Sequence, residues 1–298
     1  MWGDEMKICE TGVRKVFVVV NAILLALIGF CCFAPMLHVL CCSISDPVAL
    51  TRDQGFHLYP IFPLNFSGYK TVLSYRNIAI GYANTIFYVV VGTLLNLVLT
   101  TVAAYVLSRK RFSPRNKVML FLAFTMLFNG GMIPNYMLVR NLGLLDTRAA
   151  VLLPSAFSVF NLVIMRTSFA EIPDSLEESA RLDGANDLQI LVRIILPVSK
   201  ATVAVIALFV AISFWNSWFT ASIYLQDRDK WPLQMFLREI LITTSQRSLD
   251  SGVRMNTVVQ QTLVKYCTIV VATVPILCIY PFVQKYFVKG VMLGSIKG

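Results

Sequence analysis

Residue types that support catalysis, redox chemistry or metal binding are scarce and scattered in this chain. His38 and His57 are its only histidines, and none of its seven cysteines forms a C-x-x-C pair, so we predict neither a zinc site nor a redox dithiol. The phosphate-binding pattern G-x-x-x-x-G-K-S/T does not occur. We therefore expect a protein that is not an enzyme, hydrolyses no nucleotide itself and binds no metal or cofactor.

One charged segment, residues 171–197, separates two apolar stretches and has the sequence EIPDSLEESARLDGANDLQILVRIILP. It predicts two short helices joined by a turn at Gly184, because glycine adopts the left-handed conformation without steric cost. Ser175 and Glu178 have the spacing of a capping box for the first helix, and Pro197 is expected to end the second. The apolar face predicted to pack against a membrane bundle consists of Leu188, Leu191, Val192, Ile195 and Leu196.

This hairpin has two interpretations when it is considered by itself. An amphipathic hairpin can be a simple anchor at the membrane surface, or it can be an element on which another protein docks. Its acidic residues can steer a partner or can form an ordinary solvated face. These residues are Asp174, Glu177, Glu178, Asp183 and Asp187.

Amide and aromatic side chains are the main polar groups of the uncharged stretches. Neutral sugars are held by amide and hydroxyl groups, with aromatic rings against their apolar C–H faces, so these residues are candidates for a substrate pathway. Hydrogen bonds between helices are the alternative role for each amide, and an interfacial anchor is the alternative for Trp218. The candidates are Asn84, Tyr88, Asn96, Asn129, Asn135, Tyr136, Asn161, Trp215, Asn216 and Trp218, of which Asn216 is the foremost.

Six long uncharged stretches must position these groups. The chain has 298 residues, of which 57% are hydrophobic and 14% charged, and its mean hydropathy is +0.69. A soluble domain carries charge on about a quarter of its residues, whereas a membrane-spanning helix needs about 17 to 25 apolar residues. We predict an all-α polytopic membrane protein with six transmembrane helices, at residues 16–42, 77–108, 118–139, 149–165, 201–226 and 266–284.

The distribution of basic residues predicts the orientation. Five of them lie between Arg109 and Lys117, in the short connection after the second stretch, and short cytoplasmic connections are rich in lysine and arginine. Both termini and residues 171–197 are then cytoplasmic. The net charge of +10 is spread over separate loops, so nucleic-acid binding is not predicted. The predicted domain boundaries are a tail at 1–15, a transmembrane domain at 16–287 and a second tail at 288–298.

The charged segment resembles the EAA loop of permease subunits in ATP-binding-cassette importers. That loop has the pattern E-A-A-x-x-x-G followed by I-x-L-P, and this sequence departs from it only where Ser179 replaces the middle alanine. In the family the two short helices dock into a groove of an ATPase subunit. The resemblance implies a type I importer fold with a cytoplasmic coupling hairpin. The coupling residues that it implies are Glu178, Ser179, Ala180, Asp183, Gly184, Ala185 and Pro197.

Four further segments resemble the MalG-like carbohydrate permeases, and the resemblance covers nearly the whole chain. FWNSW at 214–218 and WPL at 231–233 are typical of that family. NGGMIP at 129–134 and QKYFVKG at 284–290 are typical of its LplC-type oligosaccharide branch. The resemblance implies a subunit that moves a complex oligosaccharide across the plasma membrane of a bacterium by alternating access.

The resemblance also implies the partners. They are a second homologous permease subunit, two ATPase subunits that carry ATP and Mg, an extracellular solute-binding protein of the lipoprotein type, and membrane lipid. The C-terminal tail of such permeases reaches the ATPases, so Lys297 and Gly298 are expected contacts. An importer of amino acids, peptides or another solute is the alternative, because the EAA loop occurs with many substrate classes. The uncharged stretches contain no Asp or Glu, which argues against an intramembrane enzyme.

Overall fold

The computed structural model describes residues 12–53, 55–128, 130–247, 259, 261–278 and 281, and over these residues the chain is helical without any strand. The predicted all-α class is therefore confirmed. The helices in chain order are α1 Gly12–Ser43, α2 Pro47–Arg52, α3 Ser67–Ser74, α4 Arg76–Ser108, α5 Arg115–Leu127, α6 Met132–Asn141, α7 Arg148–Leu152, α8 Val159–Ala170, α9 Asp174–Leu182, α10 Asp187–Ile190, α11 Leu196–Val198, α12 Lys200–Trp215, α13 Trp218–Tyr224, α14 Leu233–Arg247 and α15 Gln261–Cys278.

Three straight helices are long and apolar enough to cross a membrane. They are Arg14–Ser43 within α1, Arg76–Ser108 and Gln261–Cys278. Two bent pairs pass the same test together: α5 with α6, and the segment Asp187–Val198 with α12. The described residues thus contain up to five spans, together with the shorter apolar helix α8.

Three of the predicted stretches are not continuous helices. The stretch 118–139 is interrupted before Gly131, whose φ of 87° lies in the left-handed region. The stretch 149–165 is divided into α7 and α8 by residues 153–158, which include Pro154, a residue without the N–H that a helix interior needs. The stretch 201–226 is interrupted between Trp215 and Trp218. An uncharged run therefore predicted the location of these segments correctly but not their continuity.

The chain forms two compact units. The first contains Met1–Val72 and Thr244–Val270. Inside it the backbone N–H of His57 donates a hydrogen bond of 3.0 Å to Nδ1 of His38, and the described residues contain no group of metal-ligating side chains. The ring of His38 thus accepts a hydrogen bond from the backbone of His57.

The second unit contains Leu73–Thr243 and Val271–Gly298, and its hydrophobic core lies between α4, α8 and α12. Gly92 of α4 lies directly against the ring of Phe214 in α12, where an added Cβ would be 2.4 Å from a ring carbon. This contact sets the closest approach of the two helices. Fully buried residues of the core are Tyr88, Leu162, Met165, Phe169, Ile190, Ile195 and Ile206.

Candidate coupling site and substrate pathway

The coupling hairpin, defined here as residues 171–198, turns at Gly184. The φ of this residue is +84°, as the sequence predicts for a glycine turn. Its N–H donates to the Arg181 carbonyl at 3.0 Å, and the N–H of Ala185 donates to the Ala180 carbonyl at 2.9 Å. This pair of bonds is a Schellman motif, which satisfies the last carbonyls of α9. An added Cβ at Gly184 would meet no atom within 4 Å, so the turn faces open space.

The capping box lies one helix later than the sequence predicts. α9 begins at Asp174, so Ser175 is already inside the helix, where its carbonyl accepts from the Ser179 hydroxyl at 2.9 Å. The box is formed instead at the start of α10, where the side chains of Asn186 and Gln189 each accept from the other's backbone N–H at 2.9 Å. The second arm of the hairpin therefore has its own start signal.

Pro197 does not end the second arm. The arm passes through a π-helical turn, Leu191–Ile195, into α11, and the chain then bends by 86° before α12. Pro197 lies one residue before the arm ends at Val198, so the predicted end of the second helix is displaced by a single residue. The π turn also changes which residues face inward. Ile190, Leu191 and Ile195 are buried, whereas Leu188 and Val192 are 68% and 52% exposed, so the predicted apolar face is wrong for these last two.

A buried ion pair joins the hairpin to the Ser108 end of α4, which we call its inner end; the opposite end, at Arg76, is called the outer end. Arg109, directly after α4, donates to Glu177 of α9 at 3.0 Å, and these side chains are only 10% and 13% exposed. The same guanidinium donates to the Phe169 carbonyl of α8 at 2.6 Å. Arg181 adds a second cation to Glu177 at 2.7 Å. One guanidinium thus connects α4, α8 and α9.

Two exposed ion pairs flank the buried one. Lys110 lies 2.9 Å from Asp174, and its hydrogen bond holds the pKa of this carboxyl below the usual range. Arg111 lies 3.4 Å from Asp187, which also pairs with Arg181. We call this set the ion-pair clamp, consisting of Arg109, Lys110 and Arg111 on one side and Asp174, Glu177 and Asp187 on the other.

The clamp resolves a question that the sequence leaves open. Three of the six carboxylates in residues 171–198 bind the basic connection of the same chain, one of them in a buried pair and two in exposed pairs. Sequence reasoning missed these pairs, although it had singled out both charged segments. Since the basic connection and the hairpin touch, they lie on the same side of the membrane.

The residues that match the EAA loop divide into two groups. Ala180 and Ala185 are partly buried and pack against the core. Glu178 and Asp183 make no ion pair with any described residue, and Leu182 between them is 89% exposed. The outward group that the structure presents is Glu178, Ser179, Leu182, Asp183 and Gly184.

Three pathway candidates form hydrogen bonds with other parts of the chain. Asn84 is buried, and its amide donates to the carbonyls of Asp229 and Trp231 at 2.7 and 3.1 Å and accepts from Arg148 at 3.0 Å. Tyr88 donates to the Lys230 carbonyl at 2.8 Å. Asn96 is also buried and donates to the Ser155 carbonyl at 3.3 Å. These bonds join α4 to neighbouring segments of the chain.

The remaining candidates differ in their environments. The amide of Asn216 donates to the Ile212 carbonyl at 3.0 Å, and the residue is exposed at the end of α12. Trp215 is buried, and its Nε1 has no hydrogen-bond partner within the described structure. Asn161 is buried, and its side chain makes no hydrogen bond with other described residues.

Three aromatic or exposed candidates complete the set. Tyr136 stacks on Tyr224 with ring centroids 6.3 Å apart. Trp218 lies under the guanidinium of Arg238 at 4.1 Å. Asn135 is exposed. Asn129, Lys297 and Gly298 lie outside the described residues.

An outer network, which sequence reasoning missed, fixes the loop before α14. Asp146 adopts a φ of 56°, and its carboxylate accepts from the backbone N–H groups of Gln226 and Asp227 at 3.1 and 3.0 Å. Lys230 pairs with the same carboxylate at 3.3 Å. The N–H of Leu233 donates to the Thr85 hydroxyl at 2.8 Å. Asn84, Tyr88 and Thr85 thus attach residues 229–233 to α4, and Asp146 holds residues 226–230 from the connection before α7.

Comparisons with known proteins agree with this architecture. The family model described as "Binding-protein-dependent transport system inner membrane component" matches residues 102–293. Protein LplC of Bacillus subtilis (strain 168) is 40% identical over 291 residues, or 97% of either chain. The polygalacturonan/rhamnogalacturonan transport system permease protein YtcP of the same strain is 40% identical over 277 residues, covering 92% of this chain and 96% of its own.

A solved structure is similar over almost the same length. A chain in the crystal structure of a bacterial ABC transporter involved in the import of the acidic polysaccharide alginate is 37% identical, with a TM-score of 0.83, and 93% of this chain and 98% of that one are covered. The match to the family model already spans more than half of the sequence. The chain therefore belongs to the binding-protein-dependent transport system inner membrane components, the integral membrane permease subunits of ATP-binding-cassette importers.

Proposed function

We propose that this permease subunit imports an oligosaccharide into a bacterial cell. The observation that supports this substrate class is the similarity to two proteins described as transporters of polysaccharides. The polygalacturonan/rhamnogalacturonan permease is 40% identical and the chain of the alginate importer is 37% identical, each over more than nine-tenths of this chain. The uncharged character of the predicted spans supports the proposal, since neutral amide, hydroxyl and aromatic groups are those that hold sugars.

The coupling hairpin docks on a partner ATPase through its outward group. Glu178 and Asp183 offer carboxylates that no described residue of this chain neutralises, and Leu182 offers an apolar side chain between them. Burial of such a leucine in a partner's groove is favourable, by about 1.5–3 kcal/mol when it is complete. Ala180 and Ala185 hold the hairpin on the bundle, and Gly184 permits the turn. Closure of the ATPases then displaces the hairpin and alternates the access of the pathway.

The substrate pathway passes the interruption between α12 and α13. The Trp215 Nε1 and the Ser217 hydroxyl are buried there and form no hydrogen bond with any described residue. The hydroxyl of Thr93, next to the Gly92–Phe214 contact, is also buried and also forms no hydrogen bond with any described residue. An unsatisfied buried polar group costs about 1–3 kcal/mol. Water or sugar hydroxyls would remove that cost, which supports Trp215 and its neighbour Asn216 as pathway residues. Asn161, Asn135, Tyr136, Trp218 and Asn129 are the further proposed pathway residues.

The assembly that we propose has a second homologous permease subunit, two ATPase subunits that hold ATP and Mg, and an extracellular solute-binding protein of the lipoprotein type. Both termini are cytoplasmic, with tails at 1–15 and 288–298 and the transmembrane domain at 16–287. Lys297 and Gly298 contact the ATPases. The orientation is supported by the contact between the basic connection and the hairpin, because both would then lie on the cytoplasmic side.

A binding and uptake experiment tests the substrate class. The solute-binding protein that copurifies with the importer is titrated with neutral oligosaccharides, oligouronates, amino acids and peptides, and its tryptophan fluorescence is followed. We expect saturable binding of an oligosaccharide, followed by ATP-dependent uptake of that compound into proteoliposomes containing the complete importer. Binding of amino acids or peptides alone would contradict the sugar assignment while leaving the coupling mechanism intact.

A further inference from the structure

We propose that the ion-pair clamp makes α4 part of the moving body, so that displacement of the coupling hairpin is transmitted to α4 as well as to α8 and α12. This inference rests on the proposed docking of the hairpin on an ATPase. Arg109 and Glu177 are the positioning residues, and they act through the hairpin instead of touching the solute.

The connectivity of the chain gives α4 no direct covalent link to the hairpin. The hairpin continues directly into α8 at one end and into α12 at the other, so these two helices follow it through covalent bonds. α4 ends at Ser108, more than sixty residues before the hairpin in sequence. The buried pair between Arg109 and Glu177, at 3.0 Å, joins the first residue after α4 to the middle of α9.

The geometry at Arg109 suits a mechanical junction. Its Nη1 donates to Glu177, its Nη2 to the Phe169 carbonyl of α8 and its Nε to the hydroxyl of Ser108. Glu177 in turn accepts from Arg181, and the hydroxyl of Tyr105 approaches the same carboxylate at 3.4 Å. A planar guanidinium with several fixed donors holds both distance and orientation, which a single contact between apolar side chains does not.

Apolar packing and ion pairs both join the hairpin to the inner end of α4. Tyr105 of α4 and Ile190 of the hairpin belong to one buried hydrophobic cluster. An open cleft of about 170 Å³ lies beside these contacts and is lined by Tyr105, Val106, Phe112, Arg181 and residues of the clamp. The apolar contacts hold the two elements together, and the ion pairs add a fixed distance and orientation. Removal of the charges should therefore loosen the coupling between the hairpin and α4.

α4 extends from this junction to the proposed pathway. Gly92, near its middle, lies against Phe214, and Phe214 precedes Trp215. A tight contact of this kind transmits displacement, because packed helices have little room to deform. The clamp would therefore make α4 and α12, the two helices on either side of this contact, move together when the ATPases close.

Charge-removing variants of the buried pair test the proposal. Glu177→Gln and Arg109→Gln, alone and combined, are introduced into the complete importer with its ATPases and binding protein in proteoliposomes. Hydrolysis of ATP and uptake of whichever solute the binding protein binds are measured in the same preparation. We expect each variant to retain its ATPase subunits and hydrolysis but to import about fivefold to tenfold less solute per ATP, as for a typical allosteric coupling. The loss of coupling in the double variant should be smaller than the sum of the two single losses, because both single variants break the same pair.

Two further variants serve as a control and as a test that does not disturb the buried pair. Lys117→Gln is the control, and it removes a positive charge from α5. Lys117 is exposed and forms an ion pair with no described residue, so this variant should leave the ratio of uptake to hydrolysis unchanged. The combined variant Lys110→Gln and Asp174→Asn breaks a flanking pair whose side chains are 75% and 50% exposed, so it should fold normally. It should lower the same ratio by about twofold, since an exposed pair contributes less.

Each outcome has a separate meaning. An unchanged ratio in the flanking and buried variants would overturn the clamp as a transmission element. Loss of the ATPase subunits from the purified complex would also overturn it, because the pair would then serve docking. If the buried variants do not assemble, the flanking variant alone decides. A wild-type importer that moves peptides or amino acids but no sugar would refute the proposed substrate, and the clamp would still be tested with that solute.

Discussion

The inner and outer ends of α4 are attached to the rest of their unit by different chemistry. At the inner end, three ion pairs connect Arg109 and its neighbours to the hairpin. At the outer end, neutral side chains of α4 bind backbone atoms of the loop 226–233, through Asn84, Tyr88 and Thr85. Ion pairs between side chains can re-form in a second arrangement, whereas bonds to backbone carbonyls fix one path of the chain.

This difference indicates that the two ends of α4 have different roles. The inner attachment is suited to transmit a displacement that a partner imposes, because its two sides belong to separate, movable elements. The outer attachment is suited to hold a loop in one conformation. Substitutions in the exposed pairs of the inner end should therefore reduce coupling with little loss of stability, and those at the outer end should do the reverse.

The largest effect is expected at the hairpin turn. Gly184→Asp places a side chain and a charge in the open space that a partner would fill and forces a residue with a Cβ into a φ of +84°. Uptake should fall by at least about tenfold, the scale of a lost coupling, while the complex remains in the membrane. Gly184→Asn is the matched control, because asparagine has the same shape without the charge and tolerates this φ. Normal uptake by the Asp variant would refute the coupling role.

An intermediate effect, on stability alone, is expected at the outer end. Asn84→Leu leaves the carbonyls of Asp229 and Trp231 and the guanidinium of Arg148 without their buried partner. Each lost hydrogen bond contributes about 0.5–1.5 kcal/mol, so the melting temperature of the purified complex should fall. Asn135→Leu serves as the control, since Asn135 is exposed and its side chain bonds to no described residue. If Asn84→Leu lowered uptake per ATP at unchanged stability, the contrast between the two ends would be wrong.

The smallest effect is expected at Asp146. Hydrogen bonds from the backbone N–H of Asp227 and then of Gln226, together with Lys230, hold the pKa of this carboxyl below its usual range. Its contribution is therefore complete above the ordinary aspartate pKa and is lost as the pH falls through the lowered value. Asp146→Asn keeps the acceptor for both N–H groups and tolerates the φ of 56°, so it removes only the ion pair, and an exposed pair contributes little to stability.

A pH series of melting temperatures tests that expectation. The wild type and Asp146→Asn should differ slightly at neutral pH and converge at acidic pH, where the aspartate is protonated as well. Asp146→Ala, which also loses both bonds to N–H groups, should be the less stable of the two variants. A difference between the wild type and Asp146→Asn that grows with acidity would have the opposite sign and would contradict the assignment.

The parts of the fold that the sequence predicts are those set by local chemistry. The turn at Gly184 follows from one glycine after a helix whose last carbonyls need partners, and the structure has it. The long helices α1 and α4 follow from uncharged runs of sufficient length. The interruptions near Gly131 and Pro154 were not predicted, because hydropathy does not distinguish a helix from a break that is equally uncharged.

The roles of single polar side chains depend on contacts between distant parts of the chain. Asn84 and Asn216 are both amides in apolar surroundings, but only the first meets a loop 145 residues away that uses its bonding capacity. The sequence could not identify the partners of Glu177 either, because Arg109 is 68 residues away along the chain. Any basic side chain that came close in the folded protein could have paired with this carboxylate. The clamp residues were visible as charges of opposite sign, and only the tertiary structure shows which ones meet.

The π turn Leu191–Ile195 has a consequence for the length of the hairpin's second arm. A π turn holds one residue more than the α-helical turn that it replaces, as the bond from the Leu196 N–H back to the Leu191 carbonyl shows. Deletion of one residue here would therefore restore regular α-helical pairing and keep α12 nearly in phase with the hairpin. Insertion of one more residue, which the π turn could not absorb, would rotate α12 by about 100° relative to the hairpin. Phe214 would then leave the face that meets Gly92. The second arm should therefore tolerate a one-residue deletion within the π turn better than a one-residue insertion.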